Sequence, residues 1–390
     1  MYRIVNKKKL YATMAVDFLG NIIFLPRLLF KKSEEISPEE IREILVIRTA
    51  YIGDVVMALP LLKPIRERFT NARISFLTSA KAKEVVENNQ YVDEIITYDP
   101  FWFYHSGKRG YIDFVKGLRR MPFDLVIETR GDIREIMFLV FPLKARYKVS
   151  HDVGGGGHFL SHVVPYKGTV HRVEYHLDIA RHLGCEIDKD IEWGIYLTGD
   201  EKKRVKEILE GEGISPDKPI VAMHPGSRKE LKSWSAEGYA KVADYVIYET
   251  GATVLLTGAP EEVPLVEKVT EFMKNRPVVL AGKTTLRELA GIISHCSLFI
   301  CNDSSPMHIA AAMKTPTVAI FGPSKSIETG PYGKGHTVVE KDFPCRYACD
   351  ENVCHFRSYN QCMKDISVND VFMAVAEMLK SGGKGNFIAK

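Results

Sequence analysis

Short unbroken apolar runs alternate along most of this chain with longer stretches whose apolar positions recur at helical spacing. The first run, ILVIR at 44–48, leads into YIGDVVMALPLLKPIRERF, which has a helical period. ARISFLTS (72–79), DEIITYD (93–99) and DLVIET (124–129) are further β-branched runs. GGGG at 154–157 breaks the pattern and predicts a mobile loop. The alternation restarts after about residue 200 with PIVAMHPG (219–226), ATVLLTGAP (252–260), PVVLAG (277–282), SLFICND (297–303) and TPTVAIFGP (315–323). Buried strands separated by helices predict parallel sheets with helices on both faces.

The fold class is therefore α/β, with two Rossmann-like domains facing a central cleft. The predicted divisions are a leader at 1–40, a first domain at 41–200, a second at 201–365, and a C-terminal helix and tail at 366–390. Such sheets bind ligands outside the carboxyl ends of their strands, and every conspicuous motif of this chain falls at one.

The leader breaks the α/β pattern. Residues 10–30, LYATMAVDFLGNIIFLPRLLF, are apolar and flanked by Lys7–Lys9 and Lys31–Lys32. A signal peptide needs a small-residue cleavage site, and none is clear. A membrane span needs ~20 mostly uncharged residues. Asp17 and Arg27 would each cost ~2.5–3.5 kcal/mol at its centre. An amphipathic helix lying in the interface tolerates both charges if they face water, and its lysines meet anionic headgroups at ~1 kcal/mol each. A helix packed on the protein body is the other reading.

Charge sharpens this. The chain carries +4 overall, but residues 1–32 hold seven basic side chains against Asp17 alone, so they carry +6 and the remainder −2. A nucleic-acid-binding domain would spread its basic patch over the folded body, so the balance argues against nucleic acid and for surface attachment. Seven cysteines in 390 residues are too few for a secreted disulfide scaffold.

Three loops carry candidate chemistry. In RTAYIGDVVMALP (48–60), Gly53 permits a tight turn after the strand and Asp54 stands near a helix N-terminus, as a cap or as a general base. In HPGSRKELKSW (224–234), the Gly226-Ser227 turn offers N–H groups and a hydroxyl to an anion, with Arg228, Lys229 and Lys232 nearby. A solvated charge run is the plainer reading there, and Trp234 reads as core. The third loop is Asn302-Asp303 followed by SSPMHIAAAM (304–313). Asp303, Ser304 and Ser305 end a strand where an alanine-rich helix begins, with His308 in its first turn. That arrangement suits phosphate binding by N–H groups and helix dipole. AGKTT (281–285) lacks the upstream glycine of a P-loop, and the NDS sequon ends a buried-looking strand.

Cys345, Cys349, Cys354 and Cys362 cluster with C-x3-C-x4-C-x7-C spacing. Four cysteines suit structural zinc or an iron–sulfur cluster, yet the usual CxxC pairs are missing. Metal, disulfides and free thiols all remain open. Cys185, Cys296 and Cys301 read as buried residues.

In combination, several segments resemble the bacterial heptosyltransferases, glycosyltransferase family 9 with the GT-B fold. They are the strand followed by IGDVVMALP, HPGS…KSW, GAPEE (258–262), LAGKTTLRELAGII (280–293), Asp303 with SSPMHIAAA (304–312), and the late CMKDI. The likeness runs from about Ile44 to about Leu379. It implies inverting transfer of a heptose from ADP-heptose to the lipopolysaccharide inner core, with no metal or other cofactor required for catalysis. The basic leader would hold the enzyme, as a peripheral protein, on the inner face of the cytoplasmic membrane, where a lipid-linked oligosaccharide acceptor is found, and no nucleic-acid partner is expected.

Residue by residue, the resemblance implies that Asp54 is the base of the GD motif. Lys232 lies near the phosphates, and Gly226 and Ser227 form a phosphate-contacting turn. Glu262 holds the donor ribose, and Asp303, Ser304, Ser305 and His308 form the phosphate and sugar loop. The family's usual glycine is Ser305 here, which would be strained at positive φ. The N-terminal extension is a second departure. Arg130 and Arg134, after the DLVIET strand, are candidate contacts for acceptor phosphates or sugar acids. Two alternatives compete: a GT-B transferase using another nucleotide sugar for a cell-surface glycan, and a non-catalytic membrane-surface binder of sugar nucleotides. The second predicts that Asp54→Ala leaves function intact.

Overall fold

The structure, a computed structural model, describes residues 2, 7–25, 35–104, 110–215, 217–346, 349 and 352–381. The leader residues Arg3, Pro26, Arg27, Lys31 and Lys32 lie outside them, as does the tail after 381. The chain divides into two compact units, Met1–Tyr196 and Leu197–Lys390.

The first unit holds six parallel strands: β1 (Glu43–Arg48), β2 (Arg73–Thr78), β3 (Glu94–Thr97), β4 (Leu125–Glu128), β5 (Tyr147–Ser150) and β6 (His162–Val163), in the order β3-β2-β1-β4-β5-β6. The second unit repeats the scheme with β7 (Ile220–His224), β8 (Thr253–Leu256), β9 (Val278–Val279), β10 (Leu298–Asn302), β11 (Thr317–Phe321) and β12 (His336–Glu340), in the order β12-β11-β10-β7-β8-β9. The central strands are buried on both faces, which is why they read as continuous apolar runs rather than alternating ones. β5, β6 and β12 go beyond the predicted strands.

Each sheet reverses strand order once, between β1 and β4 and between β7 and β10. Helices feeding such a sheet diverge at the reversal and leave a crevice at the strand ends. In the first unit that point lies beside the loops after Arg48 and Glu128. In the second it lies beside the loops after His224 and Asn302. Trp234 is buried in the second core, its indole N–H donating to Ile366 O at 2.9 Å.

Two expectations about the first unit are corrected. Residues 154–157 are not a free loop. The Gly154 N–H donates to Gly131 O and the Gly156 N–H to Asp17 Oδ1, both at 2.8 Å. Asp17 therefore faces the protein body and is buried, instead of facing water. The leader residues Lys7–Ile23 do form a helix. Among the described residues no helix is long and apolar enough to cross a membrane.

Candidate active site

In the second unit, Cys301 pairs with His224 across β10 and β7, which sets Asn302 beside Pro225. The Asn302 amide donates to Pro225 O at 2.7 Å, while its oxygen accepts the Trp234 N–H at 3.1 Å. This buried side chain fixes the HPGS loop and the Lys232–Trp234 segment against the end of β10, and its burial rules out glycan attachment at the sequon. Lys232 then reaches Asp303, Nζ to Oδ2 2.7 Å, and Ser324 donates to the same carboxylate oxygen.

The helix Ser305–Ala312 starts immediately afterwards, with Ser304 as N-cap in extended conformation and no side-chain cap bond. Ser305 is the helix's first residue and is not among the positive-φ residues. The strain considered for a serine at this position does not arise. His308 is buried in the first turn and a half. The hydroxyls of Ser227 and Ser304 are both shielded from solvent and make no hydrogen bond. Two unpaired hydroxyls beside a helix N-terminus and a lysine form an anion-receptive surface.

Glu262 closes the other side. It lies within a short helical turn, Pro260–Glu262, after β8. Its Oε2 accepts the Ala259 N–H at 2.8 Å and lies 3.3 Å from His224 Nε2. Burial alone would raise this carboxyl. The hydrogen bond and charge of His224, with the Ala259 N–H, outweigh it and hold the group below its usual value. A Cβ at Gly226 would overlap the Glu262 carboxylate, so only glycine lets the two meet this closely.

In the first unit, Asp54 sits in the first turn of the helix Ile52–Ala58, whose N-cap is Tyr51. Gly53 is part of that helix rather than the turn before it. Arg48, the last residue of β1, donates to Asp54 Oδ1 at 2.8 Å. His176, on the helix Arg172–His182, bonds Met57 O through Nδ1 at 2.9 Å. A ring nitrogen facing a carbonyl must carry the proton, so Nε2 holds the lone pair; it is buried without a partner. Burial, then the Arg48 charge, keep this imidazole well below its usual pKa, hence neutral.

The loop after β4 brings charge to the same sheet edge. Asp132 caps Arg134, accepting from its backbone N–H and Nε at 2.9 Å and from Nη2 at 2.6 Å. The guanidinium carbons of Arg130 and Arg134 lie 4.2 and 4.7 Å from the Phe103 ring centroid. Arg130 Nη1 is buried without a partner. Beneath the loop, buried Glu128 accepts the N–H groups of Arg130 and Gly131 and the Ser150 hydroxyl. Burial first, then the neighbouring Glu135 carboxylate, push Glu128 well above the usual carboxylate range.

The sequence model of glycosyltransferase family 9 (heptosyltransferase) matches residues 111–360, more than half of the chain. The chain belongs to glycosyltransferase family 9. It is thus a glycosyltransferase. It is 26% identical to lipopolysaccharide heptosyltransferase 3 of Escherichia coli K12, covering 84% of this chain and 96% of that protein. Its fold is similar to that of a family 9 glycosyl transferase from Veillonella parvula, with a TM-score of 0.74 and 24% identity, covering 87% of this chain and 98% of that one. It is also similar to the E. coli ADP-heptose lipopolysaccharide heptosyltransferase II, with a TM-score of 0.67 and 21% identity, over 86% and 98% of the two chains.

Of the positions that the family 9 likeness singles out, Gly226, Ser227, Lys232, Glu262, Asp303, Ser304, Ser305 and His308 are carried by the second unit, most of them at its strand reversal. Asp54, Arg130 and Arg134 gather at the reversal of the first. Sequence reasoning missed Arg48, Glu128, Glu135, His176, Asn302 and Ser324. A charged residue ending an otherwise apolar strand was the one available signal, and it applies to Arg48 and Glu128.

Cys345, Cys349, Cys354 and Cys362 all line one cavity of about 320 Å3. Among the described residues, however, no three His, Cys, Asp or Glu side chains come together to hold an ion. Burial, then the three other thiols, push the Cys362 thiol up to about 11. No catalytic step is assigned to this segment.

Proposed function

We propose that this enzyme transfers a heptose, with inversion, from ADP-heptose to a lipid-linked lipopolysaccharide inner core at the cytoplasmic face of the membrane. One observation carries the donor half. Two solvent-shielded, unpaired hydroxyls lie in the loops at the second sheet's reversal, Ser227 after β7 and Ser304 as N-cap of the helix starting at Ser305, where Lys232 pairs with Asp303. Buried hydroxyls are mostly paired with protein, ordered water or a bound group. A diphosphate supplies the acceptor oxygens they lack. The names of the related proteins support heptose and lipopolysaccharide.

In this reading an acceptor hydroxyl attacks the anomeric carbon and gives its proton to Asp54. The new O–C bond forms as the bond to the ADP phosphate oxygen breaks. Charge develops on the departing diphosphate, and Lys232, the Gly226-Ser227 turn and the N–H groups at Ser305 stabilise it in place. Asp303 orients Lys232, Glu262 holds the donor ribose and His308 contributes a further bond to the donor. Arg48 orients Asp54, and the neutral His176 anchors the helix that carries it. Arg130 and Arg134 meet acceptor phosphates or sugar acids.

The test is nucleotide release from a panel of ADP- and UDP-sugars with heptose-deficient lipopolysaccharide or its core fragment, with Asp54→Asn alongside. ADP release from ADP-heptose that is lost in Asp54→Asn supports the reading. Turnover of a different donor discards the heptose and keeps the glycosyltransferase.

A further inference from the structure

The helix Lys7–Ile23 is inverted for a helix packed on a protein. It turns Thr13, Asp17 and Gly20 inward, all buried. Asp17 bonds Gly156 and the Tyr2 hydroxyl. Gly20 lies so close to the His158 ring that a Cβ would overlap it. Outward it presents Tyr11, Met14, Phe18, Leu19, Ile22 and Ile23, each between 45% and 71% exposed. Asp17 is the helix's one acidic residue, and it is on the inner face. Lys7 and Lys8 are exposed at its start.

An acid-free apolar face of this size, with cations at its end, is not a surface that water favours. Nor does the helix span a bilayer. Seventeen residues at ~1.5 Å each reach only about 25 Å, against a hydrocarbon core of about 30 Å, and the middle of the helix is bonded to the protein through Asp17. Its geometry is that of a helix lying in an interface.

The inner face leads to the loop of the two arginines. The Gly156 N–H bonds Asp17, the Gly154 N–H bonds Gly131 O, and Asp132 pairs with Gly154 in an isolated β-bridge. A set of bonds, through the Asp17 side chain and then the backbone of the 154–156 segment, therefore joins the leader helix to the segment Arg130–Arg134.

We propose that the outward face of Lys7–Ile23 docks on an anionic lipid bilayer and that its polar inner face holds the Arg130–Arg134 loop against the headgroups. The second half rests on the reading that this loop meets a lipid-linked acceptor; the first half does not. Large apolar side chains enter the interface, and Lys7 and Lys8 meet anionic headgroups. Asp17 and Gly20 fix the height of the loop above the membrane.

Two measurements separate the halves. The first is co-sedimentation of the full chain with vesicles of phosphatidylcholine and phosphatidylglycerol, beside phosphatidylcholine alone. Wild type should bind the anionic vesicles. Phe18→Glu/Ile22→Glu, which alters exposed positions alone and should leave the thermal midpoint in place, should lower binding about tenfold or more. Equal binding by the variant, or no binding by wild type, overturns the docking. So does a dimer in solution that the same variant disperses, because the face would then belong to a second copy.

The second measurement compares turnover of a vesicle-embedded acceptor with that of a water-soluble core fragment. The outward-face variant should lose the first and keep the second. Asp17→Ala should keep vesicle binding but lower turnover of the embedded acceptor. Unchanged turnover in Asp17→Ala overturns the coupling to the arginine loop while leaving the docking in place. A wild type that binds vesicles but turns over neither acceptor would instead count against the proposed function.

Discussion

Arg48 and Asp54 are joined from opposite sides of the buried boundary: the arginine side chain is 5% exposed, the aspartate 29%, and the bond between them is 2.8 Å. The arginine ends a strand of the sheet and the aspartate opens the helix after it, so the pair fixes the Asp54 carboxylate from behind. Asp54→Asn keeps an oxygen for Arg48 and should cost at most about 1 kcal/mol of stability. Asp54→Ala strands the guanidinium and should cost about 1–3 kcal/mol, less than a fully buried pair because Asp54 is partly solvated. Both should lower kcat by about 100-fold or more if Asp54 takes the acceptor proton. Urea unfolding and single-turnover kinetics on the two variants check this. A kcat for Asp54→Asn close to wild type would remove Asp54 as the base.

Glu128 gives the first unit a pH dependence of unusual sign. Its carboxyl is raised by burial and by Glu135, so the folded state keeps a proton that the unfolded state releases. The stability from this group is complete below the ordinary carboxylate value and is lost as pH rises through the folded value. This contribution should therefore weaken as pH rises above the ordinary carboxylate range. Glu135→Gln removes one source of the elevation and should flatten that slope. Denaturation midpoints of the two proteins, followed from the ordinary carboxylate range upward in pH, decide the matter. Identical slopes would mean the two carboxyls are not linked.

The unpaired hydroxyls of Ser227 and Ser304 make a sharper test of the donor site than any charged residue. A buried hydroxyl with no partner gives nothing to stability, so Ser304→Ala and Ser227→Ala should unfold at or slightly above the wild-type midpoint. If each bonds the donor diphosphate, its loss should raise the donor KM about tenfold, which corresponds to ~1.4 kcal/mol. Thermal melts with and without ADP, together with donor KM values, measure both effects. A lowered midpoint without ligand would mark the hydroxyl as structural instead.

What could be read from the sequence follows from how local each feature is. β1, β2, β4, β7, β8, β10 and β11 are apolar runs because both their faces are covered. β5 escaped because Lys148 and Ser150 interrupt it, and both polar groups are used inside the fold, Lys148 on Phe141 O and Ser150 on Glu128. β6 has two residues and β12 lies at a sheet edge, so neither carries a long pattern. The motif loops were visible because each is one contiguous segment at a strand end. Their supports were not. Thr49 and Glu135 bond across 86 positions, and Asn302 and Pro225 across 77, which no spacing rule reaches. Asp17 shows the limit most plainly. A lone acid in an apolar run signals that something must satisfy it, but not whether that is water or the Gly156 amide.

Gly226 and Glu262 form a contact that can be taken apart and reassembled. The carboxylate occupies the volume where a Cβ at 226 would stand, and it cannot swing away freely because the Ala259 N–H and His224 hold it. Gly226→Ala should therefore cost about 1–3 kcal/mol, the usual range for overpacking, and, if Glu262 holds the donor ribose as proposed, should raise the donor KM by displacing it. Glu262→Ala alone should leave the fold nearly intact and raise the donor KM by a similar factor. In Gly226→Ala/Glu262→Ala the overlap is gone, so stability should return toward that of Glu262→Ala while the donor KM stays high. A double-mutant cycle in urea, run with donor kinetics, measures the coupling. If the double variant is as unstable as Gly226→Ala, the glycine is needed for some reason other than the approach of Glu262.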